Sequence, residues 1–159
     1  MKTFFLGIVS FCMTIAANAF TLKEMNVFSE RMKKDVPVTV VLPDDYDSNK
    51  LFPVVYLLHG YSDNHKAWIE RTDVEELSDL YDVIVVAPDG GYDSWYFDSP
   101  FVPEYQYETF LSSELVNYID RNFRTIKDRT GRAITGLSMG GHVALHTAIN
   151  HQDVFGSVG

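Results

Sequence analysis

Ser138 stands at the centre of Gly136-Leu137-Ser138-Met139-Gly140, with Gly141 directly after. The apolar run Ala133-Ile134-Thr135 leads into it, and His142-Val143-Ala144-Leu145 leads away. That succession reads as strand, sharp turn, helix. A turn so tight needs small residues around the serine, and Gly136, Gly140 and Gly141 supply them. The serine hydroxyl is then lifted to the top of a strand and to the N-terminus of a helix, where backbone N–H groups lack partners. This suits attack on a carbonyl carbon, with the Met139 N–H aimed at the oxyanion that forms. The competing reading is a glycine-rich turn with an inert serine.

Around this turn the sequence sets out alternating elements. Met25 to Ser29 and Val36 to Leu42 read as strands of a hairpin, turning near Lys33-Lys34-Asp35. Pro53 to Leu58 is a short apolar run rich in strand formers, and it ends in His59-Gly60-Tyr61. Val74 to Leu80 reads as a short helix. Asp82 to Pro88 reads as a buried strand ending at Asp89-Gly90-Gly91. Glu108 to Phe123 reads as a helix, because Leu111, Leu115, Tyr118 and Ile119 fall on one face. Arg132 to Leu137 is the strand into the serine turn, and a further strand starts within Phe155-Gly156-Ser157-Val158-Gly159. Strands alternating with helices imply parallel pairing, and the early hairpin makes the sheet mixed.

Several motifs together carry a family resemblance. Leu57-Leu58-His59-Gly60-Tyr61 and Gly136-Leu137-Ser138-Met139-Gly140-Gly141 resemble the esterase D group of α/β-hydrolases. That group includes S-formylglutathione hydrolases, feruloyl and acetylxylan esterase modules, tributyrin-type esterases and mycolyltransferases. Val40-Val41-Leu42-Pro43-Asp44-Asp45-Tyr46 is similar to the stretch before the group's third strand. Tyr107 to Leu111 with Glu114-Leu115 is similar to the helix before the elbow. His151-Gln152-Asp153-Val154-Phe155 resembles the exit from the elbow helix, with Gln152 where proline is usual.

The resemblance implies an α/β-hydrolase fold, mostly parallel with an N-terminal antiparallel hairpin. It implies a serine carboxylic-ester hydrolase working through an acyl-enzyme on Ser138. His59-Gly60 then belongs to the loop whose next residue, Tyr61, gives the second oxyanion N–H. The substrate is a small-molecule or polysaccharide-linked ester, feruloyl, acetyl or short-chain, and no metal or organic cofactor is implied. The group's triad Asp and His follow the serine in chain order, yet the chain has only 21 residues after Ser138. Neither partner is expected here. His142 is four residues on along the same helix and should project along it, with His146 and His151 further away. The resemblance therefore also implies a chain incomplete at its C-terminus and inactive by itself. Two alternatives stay open: a non-catalytic fragment, and an acyltransferase of the mycolyltransferase type.

Residues 1–19 have a basic start at Lys2, an apolar run from Phe4 to Ile15 and the small-residue end Ala17-Asn18-Ala19. These are the marks of a signal peptide cleaved after Ala19, leaving 20–159 as the hydrolase domain and placing it in the periplasm or outside the cell. The apolar run is too short to be a stable membrane anchor, since a span needs about 20 residues. Cys12, the one cysteine, falls inside this segment, so the remainder has no thiol chemistry. From Phe20 onward Lys plus Arg number 12 (13 less Lys2) against 22 Asp plus Glu, a net charge of -10. That acidity argues against nucleic-acid binding. The aromatic loop Tyr92 to Phe97, with Trp95 and Tyr96, follows a strand at its carboxyl end. It either lines an acyl or aryl pocket or packs on the sheet rim. Asp63, His65, Glu70 and Asp73 suit a solvated acidic loop better than a metal site. Glu108 and Glu114 lie six apart on one helix and do not form an acid–base pair.

Overall fold

The computed structural model describes residues 21–47 and 49–159. The segment read above as a signal peptide, with Cys12, lies outside them. Strand β1 (Thr21–Ser29) and strand β2 (Lys34–Leu42) form the hairpin, with Val27 opposite Val36 and Lys33 turning at φ 54°. Strands β3 (Val54–Leu58), β4 (Ile84–Pro88) and β5 (Arg132–Gly136) follow. The short β6 (Ser157–Val158) comes last. The sheet order is β1-β2-β4-β3-β5-β6. β2 runs antiparallel to β4, and the pairs β3–β4, β3–β5 and β5–β6 are parallel. The mixed sheet expected from the sequence is the one observed.

Helices α1 (Ala67–Arg71) and α2 (Val74–Leu80) cross from β3 to β4. A continuous helical stretch precedes β5: α3 (Tyr107–Thr109), a π-helical segment (Phe110–Leu115) and α4 (Val116–Asn122). Helix α5 (Met139–Asn150) follows β5.

The sheet is covered on both faces, which is why its inner strands read as unbroken apolar runs. The period-2 alternation divides each strand between two clusters. Val54, Tyr56 and Leu58 of β3, with Ile84 and Val86 of β4, face Phe110, Leu115, Ile119, Val143 and Ala144. Leu57 and Val85 point the other way, to Val74 and Trp68. Thus α3, α4 and α5 cover one face, and α1 and α2 the other.

Three elements depart from the sequence reading. β1 begins four residues earlier than expected, because Thr21 to Glu24 are exposed edge-strand residues with no apolar alternation to mark them. α1 is a five-residue helix that leaves too short a periodicity to detect. The helix over Glu108 to Phe123 is present, but its middle widens into a π segment where Ser112 Oγ donates to Glu108 O at 2.8 Å.

Candidate active site

Ser138 joins β5 to α5 with φ 54° and ψ -113°, and its side chain is exposed. A non-glycine residue there is strained, and such strain concentrates at functional sites. The surrounding backbone packing holds it in place. A methyl on Gly136 would fall 2.6 Å from Leu58 O. One on Gly140 would fall 2.5 Å from Leu58 O and 2.6 Å from His59 O. The first turn of α5 therefore lies directly on the end of β3, closer than any side chain permits. Gly140 N–H donates to Leu137 O and His142 N–H to Ser138 O, closing the helix start. Met139 is fully buried.

The loop after β3 meets the serine from the other side. A methyl placed on Gly60 would sit 3.8 Å from Ser138 Cβ and 3.5 Å from Leu137 O. Among the described residues, the N–H groups of Tyr61 and Met139 have no acceptor within the chain. Both unpaired donors thus belong to residues next in sequence to the meeting point of Gly60 and Ser138.

His59 holds this loop. Its Nε2 accepts from Gly90 N–H at 2.8 Å, so Nδ1 carries the proton and donates to Gly60 O at 2.7 Å. The ring ties the loop after β3 to the loop after β4. It is buried, and both of its nitrogens are engaged. His59 N–H in turn donates to Tyr96 Oη at 3.1 Å.

Tyr96 is a correction to the pocket expected at the aromatic loop. It is fully buried, with its ring 5.4 Å from that of His59 and 6.1 Å from that of Tyr107. Trp95 and Tyr96 have consecutive positive φ values of 53° and 51°, and Tyr96 turns inward, braced by Ser94 Oγ, which accepts from Tyr96 N–H and donates to Gly90 O. Burial raises the Tyr96 phenol well above its ordinary pKa, and burial pushes Tyr107 up to about 12, so both rings stay neutral. Trp95 is 43% exposed and meets His142 edge-on at 5.8 Å. Tyr61, 52% exposed, meets Tyr92 at 5.2 Å. The exposed aromatic rim is therefore Trp95, Tyr61 and Tyr92.

The other histidines are engaged elsewhere. The His142 ring packs on Trp95 and Phe97, consistent with projection along α5. His151 Nε2 lies 3.1 Å and His146 Nδ1 3.8 Å from Glu108 Oε1. Glu114 instead accepts from Ser29 Oγ and Arg31 N–H, so the two glutamates serve separate contacts. In the acidic stretch, Asp63 pairs with Arg71, and His65 Nδ1 stands 3.5 Å from Asp89. Among the described residues no group of three or more His, Cys, Asp or Glu is placed to hold a metal. No helix among them is long and apolar enough to cross a membrane.

One feature was invisible in the sequence. A crevice of about 80 Å³ lies between Gly60, Leu137 and the start of α1, where the Trp68 indole N–H donates to Leu58 O at 3.1 Å. A wider depression of about 480 Å³ between Arg31 and Gln106 has no elbow residue in its lining.

A serine elbow at the carboxyl ends of a mixed, doubly covered sheet is the architecture of the α/β-hydrolases. The family described as "Putative esterase" matches residues 29–159, and the chain belongs to it. The chain is 32% identical over 143 residues to an acetyl esterase of Caldicellulosiruptor saccharolyticus, covering 84% of this chain and 53% of that protein. It is 40% identical over 124 residues to Esterase MT1326 of Mycobacterium tuberculosis (strain CDC 1551 / Oshkosh), covering 76% of this chain and 27% of that one. Among solved structures, a ferulic acid esterase superposes with a TM-score of 0.80 at 34% identity, covering 90% of this chain and 57% of that chain. The chain thus spans between about a quarter and a half of these curated relatives.

Proposed function

We propose that the protein is an exported serine ester hydrolase with Ser138 as nucleophile. The observation that carries this is the strained, exposed Ser138 against Gly60, with unpaired N–H groups on the next residues, Tyr61 and Met139. Ser138 Oγ attacks the ester carbonyl carbon as a base removes its proton. The oxyanion is held by the two N–H groups, whose directions are set before substrate arrives. Collapse expels the alcohol, which takes the proton from the base, and leaves an acyl-enzyme. Water then attacks the acyl carbon and releases the acid.

Neither His142 nor His59 suits the part of base, since each ring is committed to other contacts. The base and its carboxylate are assigned, as the resemblance implies, to the later part of the family's chains. Export rests on residues 1–19 alone. The acetyl esterase and ferulic acid esterase relatives favour a carboxylic ester as substrate.

The test is covalent. A fluorophosphonate incubated with the native protein is expected to add once, and peptide mapping is expected to place the adduct on Ser138. An adduct on another residue, or none while ester hydrolysis proceeds, would remove Ser138 from the nucleophile's role.

A further inference from the structure

A backbone N–H stabilises an oxyanion only if its direction is fixed beforehand. Tyr61 and Ser62 are exposed, so the restraint has to come from a neighbouring segment. The loop after β4 supplies it on both sides of Tyr61. Before Tyr61, Gly90 N–H donates to His59 Nε2 at 2.8 Å, and the same ring donates to Gly60 O. After it, Ser62 N–H donates to Tyr92 O at 2.8 Å. Ser62 holds φ 60°, a strained value for a non-glycine residue that persists only where the surroundings impose it. The Tyr92 ring meets the Tyr61 ring edge-on at 5.2 Å. Tyr61 is thus bracketed by contacts from residues 90 and 92.

Asp89 shapes the turn that presents those contacts. Its Oδ1 accepts from Gly91 N–H at 2.7 Å, where Gly91 has φ 72°. A methyl on Gly91 would fall 2.9 Å from Tyr107 Oη, and one on Gly90 would run into the Tyr96 ring. The turn therefore has little room for another path. The other oxygen, Oδ2, faces His65 Nδ1 at 3.5 Å, and that nitrogen is buried without a hydrogen bond. His65 lies four residues beyond Tyr61 in the same loop. One carboxylate reaches both loops. Through Gly91 it sets where Gly90 N–H and Tyr92 O point, and through His65 it borders the far end of the loop they hold. Asp89 N–H donates to Pro37 O, so the backbone of Asp89 is anchored to β2 whatever its side chain does.

We propose that Asp89 is a positioning residue for the oxyanion donor on Tyr61, acting through Gly91 and His65 and not on the ester itself. This rests on the serine esterase reading given above.

The experiment reads two quantities in the native protein and its variants. One is kcat/KM on 4-nitrophenyl acetate. The other is the Ki of an alkyl trifluoromethyl ketone, whose adduct with the nucleophilic serine places an oxyanion on the same donors. Asp89→Ala is expected to lower kcat/KM and to raise Ki by the same factor, about 10- to 50-fold, less than the roughly 10²- to 10³-fold lost with a whole donor. Asp89→Asn keeps an oxygen that accepts from Gly91 N–H and is expected to recover most of both losses. His65→Ala leaves the Gly91 bond in place and is expected to show a smaller parallel loss, about 5-fold. A merely structural role would lower the urea midpoint and leave both quantities unchanged in the folded protein. Should Asp89→Ala fail to fold, His65→Ala decides by the same pair of values. Wild-type values in either folded variant would overturn the inference. So would a fall in kcat/KM with Ki unmoved, or an Asp89→Asn no better than Asp89→Ala. Ser138→Ala separates the two levels of failure. If it binds the ketone as tightly as the wild type, the nucleophile assignment falls. If binding needs Ser138 but not Asp89, only the role of Asp89 is wrong.

Discussion

Replacing Ser138 by alanine in the native protein is expected to lower kcat/KM for its ester on the order of 10⁴-fold or more, while leaving the fold intact. A missing serine nucleophile leaves only binding and the oxyanion donors to accelerate attack by water, and those retain a small part of the total. A loss of 10⁴ corresponds to roughly 5.5 kcal/mol of transition-state stabilisation at 1.36 kcal/mol per tenfold. The fold should tolerate the change because the Ser138 side chain is exposed and forms no cap bond at the start of α5. Alanine retains a Cβ, so the strain at φ 54° stays and stability changes little. Ser138→Gly differs: it is expected to be equally inactive yet more stable by about 1 kcal/mol, because glycine adopts positive φ without strain. Rates on the ester with matched urea midpoints would check both. Retained activity in Ser138→Ala would rule out the acyl-enzyme route, and a Ser138→Gly no more stable than wild type would mean that the elbow is not strained.

The parts of this site that could be read from sequence are those fixed by local chain chemistry. Glycines at 136, 140 and 141 announce a close backbone approach, and the structure supplies the surfaces approached, the carbonyls of Leu58, His59 and Gly136. The apolar runs announce strands buried on both faces, and α2 has the bounds its pattern implied. Contacts assembled from distant segments left no local trace. His59 acts through Gly90, thirty-one residues away, and only the fold shows its ring bridging two loops. Tyr96 resembles Trp95 in type and position, but alternation in a loop has no fixed period. Two left-handed residues in succession turned one ring into the core and left the other at the surface. The crevice beside α1 draws on Gly60, Trp68 and Leu137, from three segments that the sheet order brings together.

Gly140→Ala is expected to destabilise the protein by about 3 kcal/mol, the upper part of the range for overpacking. The added methyl would lie 2.5 Å from Leu58 O and 2.6 Å from His59 O. Both are backbone atoms of the central strand and its loop, so neither can rotate away as a side-chain end would. Relief requires α5 to move off β3, and the Met139 N–H then moves relative to the Tyr61 N–H. A displacement near 1 Å at such a site costs on the order of 10²-fold in rate. Stability and activity should therefore fall together in this variant. Gly60→Ala is the informative comparison, because its methyl meets only ordinary contacts of 3.5 Å and 3.8 Å, and those are with Leu137 and Ser138. It is expected to keep its urea midpoint close to the wild-type value while slowing hydrolysis by crowding the nucleophile. The measurement is the urea midpoint at constant m, taken with kcat/KM on 4-nitrophenyl acetate. An unchanged midpoint in Gly140→Ala would show that α5 does not press on the β3 carbonyls, and the rigid placement of the two N–H donors would lose its physical basis.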